Sequence, residues 1–261
     1  MEAVLKSLLV ALVVAVPLFA IPAPDVTLPV TGFLSLPHVE YSTEVMVTNH
    51  RDAEQYIIIS FIQDGFESNI HAFPLGPRAS KFLANPFGDG NGLMDRIGAM
   101  RIRTITSIDG QVDPQGQIEA NAYIIADWAG RNGTSRQEVT SVPSSEYTAR
   151  EAVFLGVRHS ASGAYTNVGI VNMHPTQTEK FFVQFQFQEP VAYNVPPNSL
   201  IQVRIPSPGN GGRSVRVYPE WSLVDGEPAR TTPWVAYAST VDNRTGDAYS
   251  GWRVPSTPVA P

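Results

Sequence analysis

The chain has 261 residues, a net charge of −6 and 43% hydrophobic residues. That length allows one large β domain or two of ordinary size, and the composition is far from that of a disordered chain. An acidic chain without a basic run argues against nucleic-acid binding, and zero Cys excludes a disulfide scaffold, a thiolate nucleophile and a Cys-ligated metal.

Residues 1–23 read as a signal peptide. Lys6 precedes an apolar run from Leu8 to Ala20, which has the length of a signal h-region and falls short of the ~20 residues a spanning helix needs. A signal helix cleaved after Ala20 or Ala23 is expected, with a retained anchor as the alternative. Export without cysteine points to a secreted bacterial protein, periplasmic or extracellular, with no membrane span in the mature chain. The Pro-rich arm Ile21–Pro29 is a candidate for pairing with a neighbour's sheet edge.

The body shows period 2 rather than helical spacing. Tyr56 to Ile62 is a continuous β-branched and aromatic run, suited to a strand buried on both sides or covered by a loop. Met100 to Arg103 and Ser214 to Tyr218 alternate. Phe181, Val183, Phe185 and Phe187 share one face, opposite Gln184, Gln186 and Gln188. Turn signals separate the runs, among them Asp64-Gly65, Asp109-Gly110 and Pro196-Pro197. The pattern predicts an all-β chain with at most a helical turn near Leu93–Ile97.

The halves echo each other. Thr43–Asn49 matches Thr166–Asn172, and Asn121–Ile124 matches Val235–Ala238. Arg131-Asn132-Gly133 matches Arg244-Thr245-Gly246. Two tandem immunoglobulin-like antiparallel β-sandwich domains follow, over 24–143 and 151–261, joined by a polar linker at 144–150. Tyr123 and Tyr237 are expected at one strand position and on one face.

The segments Tyr165–Asn172 and Val235–Asp247 resemble the opening strand and closing hairpin of secreted bacterial tandem β-sandwich repeat proteins. The first half is more diverged, with Asp127-Trp128-Ala129 where the Val-Asp-Asn step stands in the second. The resemblance implies a fold and secretion, and no catalytic residue.

The chemistry-bearing residues form no recognised constellation. His38, His50, His71, His159 and His174 include no close pair, although His50 and His174 follow the duplicated strand. They read as loop residues, because a metal needs three or four convergent ligands. Asp89–Asp95 starts like a calcium loop and fails at Leu93. Nucleophile-elbow and phosphate-loop motifs are absent from the sequence. No cofactor and no enzymatic activity are expected. Asn132 and Asn243 sit in sequons that also read as hairpin chemistry.

Trp221 and Trp234 read as core residues. Trp128 with Arg131, and Trp252 with Arg253, flank the closing hairpins and are the candidate ligand-binding residues. The leading expectation is a non-catalytic structural or interaction module at the cell surface or outside the cell, with an unknown protein or glycan partner. Self-association by sheet edges is a variant. The alternatives are a carbohydrate-binding module and a glycoside-type hydrolase whose carboxylates are assembled by the fold.

Overall fold

The computed structural model describes residues 21–87, 93, 95–106, 110–129, 134–158, 163–186, 188–204, 214–223, 232–242 and 248–254. The described chain is all-β, in antiparallel sheets, with 3-10 turns at Ser144–Glu146 and Glu220–Leu223. No described helix is long and apolar enough to cross a membrane. Residues 1–20 of the expected signal segment 1–23, the Gly-rich loop at 88–92, Arg131–Gly133, His159, Phe187 and Asn243–Gly246 lie outside the described residues, as does the Trp252 side chain.

The first half contributes β1 (Asp25–Leu36), β2 (Val39–Asn49), β3 (Gln55–Gln63), β4 (Phe66–Leu75), β5 (Ser80–Leu83), β6 (Arg96–Ile105), β7 (Ile118–Trp128), β8 (Thr134–Thr140) and β9 (Val142–Pro143). Two layers, β4-β3-β6-β1 with β9 and β5-β2-β7-β8, enclose a core of Val45, Val47, Ile57, Ile59, Met100 and Ile102. β1 joins the layers. It pairs with β6 as far as Phe33 and with β2 from Leu34, bending at a register shift between Leu28 and Thr31. Gly32 sits at that crossing with φ +150°, where a Cβ would lie 2.2 Å from the Arg96 carbonyl oxygen, so no side chain fits. Asp64 and Gly65 make the β3–β4 turn with φ 50° and 90°, the positive pair that a two-residue hairpin favours.

The second half contributes β10 (Ala152–Leu155), β11 (Ala164–Asn172), β12 (Glu179–Phe185), β13 (Val191–Val195), β14 (Ser199–Arg204), β15 (Ser214–Pro219), β16 (Trp234–Asp242), β17 (Ala248–Ser250) and β18 (Trp252–Val254). Its pairings β10–β15, β10–β18, β11–β14, β11–β16, β12–β13, β12–β15 and β16–β17 repeat β1–β6, β1–β9, β2–β5, β2–β7, β3–β4, β3–β6 and β7–β8. Phe181, Val183 and Phe185 point together into this half's core, with the Trp234 ring tilted against Phe181 at 5.3 Å between centroids.

The duplicated strands end alike. Asn49 Oδ1 accepts the Arg51 N–H at 2.8 Å, and its amide donates to the Ala53 and Leu75 carbonyls. Asn172 Oδ1 accepts the His174 N–H at 2.9 Å, and its amide donates to the Gln177 and Val195 carbonyls. Each Asn thus ties the strand end to the loop after it and to the end of a later strand. Opposite them lie Ile118 and Trp234, which fixes the correspondence of β7 with β16. On that count Tyr237 matches Asn121, so Tyr123 and Tyr237 are two residues apart. Period 2 keeps both on the side away from their own core, where Ala120 and Ala122, or Ala236 and Ala238, point inward.

The halves meet along an extensive seam. Ile62, Ala99 and Val142 pack with Tyr147, Val171, Met173 and Val235. The Tyr237 ring joins the core of the first half. The 144–150 segment, expected as a polar linker, is packed rather than open. Tyr147 and Ala149 are buried, the Trp234 N–H donates to the Tyr147 carbonyl, and the Trp234 indole donates to the Ala149 carbonyl. The Tyr147 hydroxyl donates to Asp25 Oδ1 at 2.8 Å, and Arg101 Nη2 and Nε reach Asp25 Oδ2 at 2.5 and 3.0 Å. Burial works against the Arg101 charge, but Asp25 outweighs it, and the Arg101 pKa is raised.

Two further expectations are corrected. The arm Ile21–Pro29 is not free for a neighbour's edge, because Asp25 to Leu28 already pair with β6, and Val26 and Thr27 also pair with β9. Arg96 and Ile97, placed in a helical turn, open β6 instead, because alternation with the β1 ladder outweighs the local helical spacing.

Candidate functional site

The seam leaves two clefts between the halves, on opposite sides of β8. Strand alternation sends Gln137 and Ser135 to the smaller cleft and Arg136 and Glu138 to the larger. The β8–β17 contact supports this wall. The Gln137 amide donates to Ser250 Oγ at 3.1 Å, Ser239 Oγ donates to Gln137 Oε1 at 3.0 Å, and Ser250 Oγ donates to the Glu138 carbonyl at 2.5 Å.

The larger cleft, about 520 Å³, is charged. Arg136 and Glu138 line it, and so do Glu146 and Arg253, which form an ion pair with side chains 11% and 18% exposed. Burial lowers the Arg253 pKa, and Glu146 opposes that shift. Arg253, a candidate ligand-binding residue, therefore acts as a tie between β18 and the 144–150 segment.

The smaller cleft, about 230 Å³, is the open end of the first sandwich, covered by the outer face of β11 and β16. Its first-half wall carries Trp128, half-buried at the end of β7, and Tyr41 from β2. The hydroxyl of Thr43 donates to the Gly32 carbonyl at 2.8 Å and accepts the Gly32 N–H at 2.9 Å, holding the β1 crossing at the cleft's edge. The second-half wall carries Tyr165, Asn167, Gln202 and Tyr237. The Tyr41 phenol is pushed up by burial and then by neighbouring Tyr165, so the two halves bring these phenols together. Arg204 covers the Tyr165 ring at 4.1 Å.

Tyr237 lines both clefts and is 7% exposed. Its ring lies over Gly169, its β11 partner, where a Cβ would fall 1.8 Å from Tyr237 Cε1. Its hydroxyl has no hydrogen-bond partner among the described residues, and burial raises its pKa well above the ordinary phenol value.

Of the four residues read from sequence, Trp128 and Arg253 line different clefts and are not brought together. Arg131 and the Trp252 side chain lie outside the described residues. Trp221 and Trp234 are buried. His50 contacts Glu119 at 3.1 Å, and His174 Nδ1 accepts the Gln177 N–H at 2.9 Å, so both serve the loops that follow the duplicated strands. Among the described residues no three His, Cys, Asp or Glu side chains form a metal-binding group. Sequence reasoning missed Tyr41, Tyr165, Asn167 and Gln202. The available signal was Gly169 inside an apolar strand, which marks a close approach by another group.

No protein-family model matches the chain, and the search of curated proteins finds no relative.

Proposed function

We propose that the chain is an exported, non-catalytic protein of two tandem immunoglobulin-like β-sandwich units, acting as an interaction module at the cell surface or outside the cell. The observation that carries this reading is the recurrence of seven strand pairings in both halves, capped by equivalent asparagines. Duplicated sandwiches locked along a seam make a rigid scaffold, and the cleft lined by Trp128, Tyr41 and Tyr165 is the partner's seat. The apolar run Leu8–Ala20 and the resemblance to secreted tandem-repeat proteins support export.

The test is fractionation of producing cells, followed by mass measurement of the isolated protein. The expected product begins at Ile21 or Pro24 and is found outside the cytoplasm. A cytoplasmic protein retaining Met1 refutes the export reading. Crosslinking from residues at the cleft rim in the native medium should capture a partner that the opposite surface does not.

A further inference from the structure

We propose that the smaller cleft seats one neutral sugar ring, the end of a glycan chain. This rests on the binding-module reading and names the ligand of that same site. The described lining contains no Asp, Glu, Lys, Arg or His. A charged ligand would exchange its hydration for uncharged lining groups, and Arg204, which lies beside Asn167 in the ladder, is engaged over the Tyr165 ring. A purely apolar ligand would fail differently, because it would cover polar groups that need partners.

Two such groups are open to the cleft, and a third lies buried beneath it. The Asn167 and Gln202 side-chain amides make no hydrogen bond among the described residues, and the buried Tyr237 hydroxyl has none either. Asn167 lies beside Ser239 in the ladder, and Gln202 and Tyr237 are the two neighbours of Gly169. Asn167 and Gln202 form a polar floor on the outer face of the second half. Gly169 makes room for the Tyr237 ring at the centre of that floor. At the matching row of the first half, Met46 lies between Phe82 and Asn121, and both apolar side chains are exposed.

The opposite wall supplies the Trp128 and Tyr41 aromatic surfaces. A sugar ring combines apolar C–H faces with a rim of hydroxyls that both donate and accept. It therefore matches aromatic walls over an amide floor. The volume of about 230 Å³ lies below the roughly 300–1,000 Å³ of drug-sized pockets, so a single ring is the fitting unit. The larger cleft, with Arg136, Glu138 and the Glu146–Arg253 pair, has the wrong chemistry for a neutral ligand.

The test is saturation-transfer NMR on the full mature chain. The probes are the methyl glycosides of glucose, galactose, mannose and N-acetylglucosamine, with glucuronate as the charged control. At least one neutral glycoside should bind with a Kd of the order of 1 mM, as about a dozen heavy atoms supply at ordinary ligand efficiency. Glucuronate should bind more weakly. Trp128→Ala and Gln202→Ala should each weaken binding about tenfold. Gln202 is exposed, so its variant keeps the test valid if Trp128→Ala unfolds. Asn167→Ala should weaken binding to a similar extent. Absence of transfer from all four glycosides overturns the proposal. So does binding unchanged in Gln202→Ala and Asn167→Ala, or glucuronate binding as well as the neutral sugars. A null panel on a correctly processed, exported protein overturns the sugar seat alone. A retained N-terminus in the cytoplasm overturns the module reading whatever the panel shows.

Discussion

Gly169→Ala tests the seam at its tightest point. The added Cβ would lie 1.8, 2.5 and 2.6 Å from three atoms of the Tyr237 ring. Ordinary carbon contacts are about 3.5–4.0 Å, so the ring would have to move by nearly 2 Å. It has nowhere to go, since Tyr237 is buried and packs into the core of the first half. Forcing the ring aside within the seam costs about 1–3 kcal/mol. Expelling it forfeits its burial, a loss of similar size. The intrinsic gain of Ala over Gly in a strand, about 0.5–1 kcal/mol, opposes either outcome. The net expectation is a loss of about 1 kcal/mol, read as a lower guanidinium midpoint at unchanged slope. In a Tyr237→Ala background the clash is gone, and Gly169→Ala should be neutral or slightly stabilising. The cycle should therefore yield a coupling energy of about 1–3 kcal/mol, the clash itself. Equal effects of Gly169→Ala in both backgrounds would show that the ring does not lie over Gly169.

Phe185, 2% exposed in the second core, should cost about 3–5 kcal/mol on truncation to Ala, and Gln186→Ala about half a kcal/mol or less, both by denaturant unfolding. A reversed order would put the register wrong by one residue. Alkaline stability follows from Tyr147 and Tyr237, whose phenols burial raises above their ordinary value of 10.0. Above pH 10 the unfolded chain releases these protons while the folded chain holds them, so stability fully present below pH 10 falls as pH rises. The slope is about 1.4 kcal/mol per pH unit for each tyrosine, and the Tyr147→Phe, Tyr237→Phe pair should flatten it in midpoints measured on either side of pH 10.

The sequence made the strands legible because period 2 is a local signal. Phe181, Val183 and Phe185 could be placed on one face without knowing their neighbours. The duplication was legible for the same reason, since Asn49 and Asn172 end similar local motifs that share Thr, Val and Asn at matching places. The echo of Tyr123 with Tyr237 misplaced the register by two residues, because an Ala-Tyr pair carries no information about its partner strand. The seam was illegible. Tyr147 looked like one aromatic in a polar stretch, and only its contacts with Asp25 and Thr27, 122 and 120 residues away, make it part of a core. The candidate site suffered likewise. Trp128 was visible as a large aromatic beside a hairpin, but Asn167 and Gln202 are ordinary strand residues until a second sheet face is set against the end of the first sandwich.

The same backbone positions carry different chemistry on the two outer faces, and this allows a direct test of whether the halves are separate units. Thr48 and Glu119 of the first half correspond to Val171 and Val235 of the second. The valines are buried in the seam, whereas Glu119 contacts His50 at 3.1 Å on a face the second half does not cover. Val235→Glu gives the second half the residue of the first. A carboxylate at that fully buried site, among Ile62, Ala99 and Val142, carries a desolvation penalty of several kcal/mol. If each half holds its own core, the penalty cannot exceed the seam energy, because the halves can part and let the carboxylate reach water. The 144–150 segment would then lose the Trp234 and Asp25 contacts that bury it. The wild-type segment should resist limited proteolysis. In Val235→Glu it should be cut first, giving two stable fragments, and calorimetry should resolve two transitions. If Val235→Glu instead degrades both halves together through a single transition, the sandwiches do not fold apart. The tandem-unit reading would then give way to one cooperative body whose duplication is historical only.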